Sequence, residues 1–307
     1  MRILVTGASG FAGIHLCKLL RSAGHDLIGA ASNGAVDVSL DVSDAPAVLQ
    51  TFRRYRPEGV FHLAAIAYVP AAENASVLTD VVNRGGTANV LDAAHDVGAR
   101  TLVVSSGAVY GELSPSELPA TERTEPRAKG AYAESKLAAE AECASRRARQ
   151  EIVIVRPFNH TGPGQARDYV CSDFAAQLAE CAAGLRPPRI EVGNLSVERD
   201  FSDVIDVVEA YRALFEHGRA GEIYNVCSGR PTSIARILDI LIGLIGTTIE
   251  VVTRDERVRS QDVSRTYGSY AKAEREVGWR PSRPLEQTLA ALLDDWRRRV
   301  SQDGAEA

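Results

Sequence analysis

Tyr132 and Lys136 stand four residues apart in Ala131-Tyr132-Ala133-Glu134-Ser135-Lys136. Side chains at i and i+4 share one face of a helix. A cation beside a phenol favours the phenolate and lowers its pKa, so such a pair can give a proton to an oxygen, or take one, near neutral pH. A solvated helix face produces the same spacing, so the pair gains meaning only from its company. Val103-Val104-Ser105-Ser106-Gly107-Ala108-Val109-Tyr110-Gly111 supplies two hydroxyls at the end of an apolar run. A serine there could hold a carbonyl oxygen and share its proton with Tyr132; the competing reading is a pair of capping serines. Gly7-Ala8-Ser9-Gly10-Phe11-Ala12-Gly13 follows the first apolar run. Its glycines permit a tight turn and close approach to a pyrophosphate, and the helix it opens presents N–H groups and a favourable dipole.

These residues need elements to position them. Short β-branched runs at residues 3–6, 26–31, 59–64, 100–105 and 152–157 read as strands, and 11–23, 45–55, 77–97 and 131–149 as helices. Alternation of this kind predicts an α/β fold with a doubly wound parallel sheet. After Pro157 the loops lengthen and Gly and Pro cluster, as in Gly162-Pro163-Gly164 and Arg186-Pro187-Pro188. A smaller, mainly helical lobe is expected there. Residues 1–159, with returns near 200–230, are expected to form the cofactor-binding domain, and 160–199 with 231–300 the interleaved substrate lobe. A chain return at 223–226 is expected to add a strand to the first sheet.

The 307 residues carry a formal net charge of -5, so no global basic field invites nucleic acid. Cys17, Cys143, Cys171, Cys181 and Cys227 form no Cys-x-x-Cys pair. Reduced, buried thiols are the expectation, with no metal site. The apolar run 237–245 is too short to span a bilayer and the first residues read as a strand, not a leader, so a cytoplasmic protein is expected.

Taken together, Gly7-x-x-Gly10-x-x-Gly13, Asp41-Val42, His62-Leu63-Ala64-Ala65, Asn83, Ser106, Tyr132-x-x-x-Lys136 and Arg156-Pro157-Phe158-Asn159 resemble the extended short-chain dehydrogenase/reductase family of nucleotide-sugar epimerases, dehydratases and reductases. The resemblance implies a Rossmann-like domain and a Ser106, Tyr132, Lys136 catalytic set in which the lysine also holds the nicotinamide ribose. It implies cofactor contacts from Gly7, Ser9, Gly10, Phe11, Ala12, Gly13, Ser32, Asp41, Val42, Leu63, Ala64, Ala65, Asn83, Ser105, Tyr132, Lys136, Pro157 and Phe158. Asn83 is expected to support the lysine through water. Asp41 could reach the adenine or be a solvated loop aspartate. Gly29-Ala30-Ala31-Ser32-Asn33 offers no acidic residue for the adenosine ribose, which favours NADP(H) and leaves NAD(H) possible.

The carboxyl half is similar to the GDP-mannose branch of that family, through Arg156 to Gln165, Gly193-Asn194-Leu195, Arg199-Asp200-Phe201, Tyr224 to Gly229 and Gly278-Trp279. That similarity implies a GDP-linked 4-keto-6-deoxy sugar as partner, contacted by Ser106, Ala108, Tyr132, Asn159, Asn194, Arg199 and Arg259. Arg199 and Arg259 could neutralise a diphosphate or be surface ion pairs. The dehydratases of the family carry an acidic residue two places before the tyrosine of the serine motif. Gly107 and Ala108 offer no titratable group there, which argues against elimination. A 4-ketoreductase is favoured; a 4-epimerase that retains its NAD is the alternative. A cofactor-sensing regulator without catalysis is disfavoured because Ser106, Tyr132 and Lys136 are all present. Relatives pair through helices corresponding to 77–97 and the Tyr132 helix, so a homodimer is expected; the alanines of the Tyr132 helix would equally suit packing within one chain.

Overall fold

Apolar runs that are buried from end to end become the strands of a central sheet in the computed structural model, which describes residues 1–254 and 263–306. In chain order the strands are β1 (Arg2–Thr6), β2 (Asp26–Ala31), β3 (Val38–Ser39), β4 (Gly59–His62), β5 (Arg100–Val104), β6 (Ile152–Pro157), β7 (Asn159–Thr161), β8 (Arg189–Val192), β9 (Glu198–Asp203), β10 (Ile223–Val226), β11 (Pro231–Ser233), β12 (Glu250–Thr253) and β13 (Arg265–Thr266). The helices are α1 (Phe11–Ser22), α2 (Ala45–Tyr55), α3 (Val69–Asn74), α4 (Ser76–Asp80), α5 (Gly86–Val97), α6 (Ala131–Arg146), α7 (Val170–Ala182), α8 (Val204–His217), α9 (Ile234–Ile245), α10 (Ala271–Val277) and α11 (Leu285–Glu306).

Seven strands pair in the order β10-β6-β5-β4-β1-β2-β3, and every pairing is parallel. Helices α2, α5 and α6 cover one face, and α1 packs with α8 on the other, which is the doubly wound arrangement. Both faces are therefore apolar. One core gathers Ile3, Val5, Leu16, Val153, Val207 and Tyr224, the opposite one Leu4, Ile28, Phe52, Val60 and Val90. Register sets Thr6 beside His62, His62 beside Val103, and Val104 beside Val155. The loops after β1, β4, β5 and β6 thus leave the sheet along one edge, where ligands bind in open α/β sheets.

The later part of the chain departs from expectation. The mainly helical second lobe also carries a four-stranded sheet of β11-β9-β13 with β7 on β9, and a β12-β8 pair. These strands run two to six residues and several are polar, too short for a period of two to register. Helices α7, α9 and α11 close their own core on them through Phe174, Leu178, Val192, Phe201, Leu241 and Leu292. Ala273 and Trp279 instead join the first core. The helix expected over 77–97 is three pieces, with a π-helical turn at Val81–Gly85 between α4 and α5. No helix among the described residues is long and apolar enough to cross a membrane, and no group of three or more metal-ligating side chains occurs among them.

Candidate active site

The glycine loop is shaped by two close approaches. Gly7 has φ +70°, and a Cβ there would lie 2.7 Å from the backbone nitrogen of Ala64. A Cβ on Gly13 would lie 2.1 Å from the Gly7 oxygen. Neither site admits a side chain without moving backbone. Helix α1 starts after Gly10, with no side-chain cap on its first N–H groups among the described residues, so these donors are available to an anion. The loop therefore fits a dinucleotide pyrophosphate. Ala64 N–H donates to Thr6 Oγ1 at 3.2 Å, which ties the Leu63-Ala64-Ala65 turn to the strand that carries the loop.

Beneath this turn lies a buried relay. Thr87 Oγ1 donates to the Asn83 carbonyl at 2.6 Å and meets His62 Nε2 at 3.0 Å. His62 Nε2 must then carry the proton, and Nδ1 accepts from the Thr6 hydroxyl at 2.7 Å. Burial and the nearby Lys136 charge push His62 down to about 3, so it is neutral and structural.

Tyr132, Ser106 and Lys136 come together where α6 begins beside the end of β5. The Ser106 hydroxyl lies near enough to the Tyr132 phenol to favour its ionised form. Ser106 caps the 3-10 turn Gly107–Tyr110 by accepting from Ala108 N–H at 3.1 Å. Lys136 is buried and its ammonium donates to the Val104 carbonyl at 2.8 Å. The shift of Tyr132 runs opposite to the sign expected from the i, i+4 spacing. Burial raises it, and the nearby Ser106 hydroxyl lowers it in part. Burial likewise pushes Lys136 down, to about 8, against the opposing pull of Glu140.

Asn83, expected beside the lysine, sits in the π-helical turn and engages other groups. Its Oδ1 accepts from Ile66 N–H at 2.8 Å, and its Nδ2 donates to the Ile66 carbonyl at 3.1 Å and to Ser135 Oγ at 2.9 Å. Ser135 in turn donates to the Tyr132 carbonyl at 2.8 Å. Asn83 thus anchors the first turn of α6 from a π-helical turn; such turns recur at functional sites.

Sequence reasoning missed Glu140, one turn beyond Lys136. Its carboxylate is buried and accepts Arg156 Nε at 2.8 Å, Arg156 Nη2 at 2.6 Å and Ser105 Oγ at 2.5 Å. The Arg156 guanidinium lies 4.8 Å over the Tyr110 ring, and Tyr110 donates to Asn225 Oδ1 at 2.7 Å. The Ser105 hydroxyl, expected at the cofactor, therefore faces Glu140. The i+4 spacing from Lys136 was the signal available. Asp37 was missed as well: it accepts from Gly29 N–H at 2.8 Å and Arg21 Nη2 at 3.1 Å. At the end of β2, Ser9 donates to Asn33 Oδ1 at 3.1 Å, and Ser32 is exposed beside it.

Other expected contacts divide. Asp41 accepts from Ser43 N–H at 2.9 Å and so closes its own turn, while Val42 is buried under Gly86. The Phe158 ring is buried with Tyr110, Leu113, Ala120 and Cys227 beneath Gly107 and Gly268. Pro157 precedes it as the last residue of β6. Ala108 and Asn159 are exposed. Asn159 and Arg199 lie on the adjacent strands β7 and β9, with Asn159 opposite Phe201. Asn194 accepts from Ser196 N–H at 3.0 Å as a turn, and Arg259 lies outside the described residues. Two further residues had no sequence signal. Tyr169 at the start of α7 sits edge-on to Tyr68 at 5.9 Å and lies within electrostatic reach of Tyr132. His160 stacks on Phe11 at 5.8 Å, joining the second lobe to the glycine loop.

The model of the family described as "NAD dependent epimerase/dehydratase family" matches residues 3–227. The chain is 36% identical over 317 residues to the GDP-6-deoxy-D-mannose reductase of Pseudomonas aeruginosa, across 98% of this chain and 99% of that one. It superposes on the structure of RMD from Pseudomonas aeruginosa complexed with NADPH with a TM-score of 0.88 and 36% identity, covering 97% of this chain and 99% of that one. The UDP-glucose 4-epimerase of Thermus thermophilus in complex with NAD gives a TM-score of 0.87 at 28% identity, with 97% and 99% covered.

Proposed function

The chain belongs to the NAD dependent epimerase/dehydratase family, and from that membership we propose that it reduces the 4-keto group of a GDP-linked 4-keto-6-deoxy-hexose. GDP-4-keto-6-deoxy-D-mannose is the substrate and GDP-D-rhamnose the product in this reading, as in a GDP-4-keto-6-deoxy-D-mannose reductase. The end-to-end likeness to the Pseudomonas aeruginosa reductase supports it. The observation that carries it is the Tyr132 phenol set near the Ser106 hydroxyl, beside Gly107 and Ala108. Among the described residues this corner holds a proton donor and a hydroxyl, with no carboxylate of its own for an elimination.

The glycine loop and the N–H groups of α1 hold the dinucleotide, and Lys136 holds the nicotinamide ribose. When bound, a reduced nicotinamide supplies the hydride for C4. Ser106 donates a hydrogen bond to the ketone oxygen. Tyr132 gives that oxygen its proton as negative charge develops, and the Lys136 ammonium favours the phenolate left behind. Burial keeps Tyr132 protonated at neutral pH, which is the state a donor needs. NADP(H) is favoured over NAD(H), because Ser32 and Asn33 stand where a carboxylate would repel a 2′-phosphate, and Asp37 is engaged by Gly29 and Arg21.

Incubation with GDP-4-keto-6-deoxy-D-mannose should oxidise one NADPH per sugar reduced, followed by absorbance with the product assigned by NMR. Interconversion of C4 epimers without net cofactor oxidation would replace this reading with the 4-epimerase. The partner is expected to include a second copy. Val77, Leu78 and Val81 are 79%, 54% and 45% exposed where α4 packs beside α6, an apolar stripe that a helix pair from another chain would cover. Light scattering should give about twice the chain mass of 33.0 kDa, and Val77→Asp should reduce it to one chain. A monomer at micromolar concentration would refute the dimer.

A further inference from the structure

Glu140 bonds the neighbour of Ser106 and shares a helix with Tyr132 and Lys136. It lies one turn after Lys136 on the buried face of α6. It receives both the Nε and Nη2 hydrogens of Arg156 from β6, at 2.8 and 2.6 Å. It also receives the hydroxyl of Ser105 at 2.5 Å, and Ser105 is the residue before the serine near Tyr132. Ser105 is further tied through its N–H to the Val155 carbonyl at 2.8 Å. The carboxylate therefore joins α6, the end of β5 and β6 at one buried point.

Lys136 shares this point with one carboxylate and the guanidinium paired to it. The titratable and charged groups facing Lys136 are Tyr132, Glu140 and Cys143 of α6, His62 of β4 and, through Glu140, Arg156 of β6. His62 is pushed down to about 3 and is neutral. Burial pushes the Cys143 thiol up to about 12 and raises Tyr132, so both are neutral as well. Among the described residues that leaves Glu140 as the anion acting on Lys136. Stability alone does not call for such a pair, since well-packed apolar residues often replace a buried ion pair without loss.

We propose that Glu140, clamped by Arg156, is a positioning residue of the catalytic set: it holds the Ser105–Ser106 corner against Tyr132 and supplies the negative charge that keeps the Lys136 side chain an ammonium. The turnover part rests on the reductase reading. The charge part does not, because it is read through cofactor binding in the absence of sugar.

The test titrates NADPH by fluorescence against pH and measures kcat, in wild type, in Glu140→Gln/Arg156→Met and in Ser105→Ala. The double variant leaves no buried charge unpaired. Wild-type affinity should fall as pH rises through about 8, where Lys136 loses its proton. In the double variant that fall should move to lower pH by about one unit or more, the scale of a lost neighbouring charge. Ser105→Ala should leave the fall in place and lower kcat about ten- to a hundredfold, as a misplaced hydroxyl does. A fall at the wild-type pH in the double variant, or a wild-type kcat in Ser105→Ala, overturns the proposal. An intact shift in NADPH binding with no turnover on the sugar would overturn the reductase reading alone.

Discussion

Tyr132→Phe is expected to lower kcat for ketone reduction by about a hundredfold or more, the scale of a lost general acid, while NADPH still binds. In the proposed reaction the phenol is the proton source at this corner. The Ser106 hydroxyl lies near it, Gly107 and Ala108 carry no titratable group, and the Lys136 ammonium is held by the Val104 carbonyl at 2.8 Å. The Phe ring fills the same space, so α6 and the corner around Ser106 should persist. The loss should therefore appear in kcat with a smaller change in sugar KM, as for an interaction made mainly in the transition state. In the proposed reaction cofactor binding rests chiefly on the Gly7–Gly13 loop and Lys136. Stopped-flow measurement of NADPH oxidation with the keto sugar checks the prediction, and turnover within a few-fold of wild type would remove Tyr132 from the mechanism.

Arg156→Met alone should destabilise the fold by about 3–5 kcal/mol, the cost of stranding one member of a buried ion pair. The two side chains are 3% and 6% exposed. Without Arg156, the Glu140 carboxylate keeps only the Ser105 hydroxyl in a site walled by β5 and β6. Adding Glu140→Gln should restore most of the loss, because the same volume then holds no charge. Solvent-facing pairs such as Arg53–Asp96, 60% and 35% exposed, are screened and contribute little. Urea unfolding of the single and double variants measures this directly. A loss below about 1 kcal/mol in Arg156→Met would mean that water or another group reaches Glu140, and that the clamp is weaker than its geometry.

Much of the cofactor half was legible before any coordinates. The strand at 26–31 and the helix at 45–55 have the expected bounds, and the glycine loop falls between β1 and α1 as its spacing requires. These features depend on neighbours in sequence: burial on both faces of a parallel strand, and a positive φ at Gly7. The π-helical break at Val81–Gly85 was not legible, because it answers to Ile66, seventeen residues away, through the side chain of Asn83. The second sheet was hidden for a similar reason. Glu198–Asp203 is largely polar along its length, and Asp200 is buried only because it accepts from the amides of Ser228 and Gly229 and the Ser228 hydroxyl.

The residue types at the site, their order and the absence of an acid at Gly107 and Ala108 were properties of the chain by itself. So was the family, since its motifs run from Gly7 to Asn159 in sequence order. The charge state of the pair was decided by the tertiary structure. Spacing places Tyr132 and Lys136 on one helix, which is a local fact. Whether the phenol is lowered or raised depends on how much water the fold removes and where the lysine stem points. Those are set by Val104, Ser106, Glu140 and Arg156, drawn from β5, the loop after it, α6 and β6. Burial is a property of the assembled core, so its sign on Tyr132 could appear only once the strands and α6 were packed.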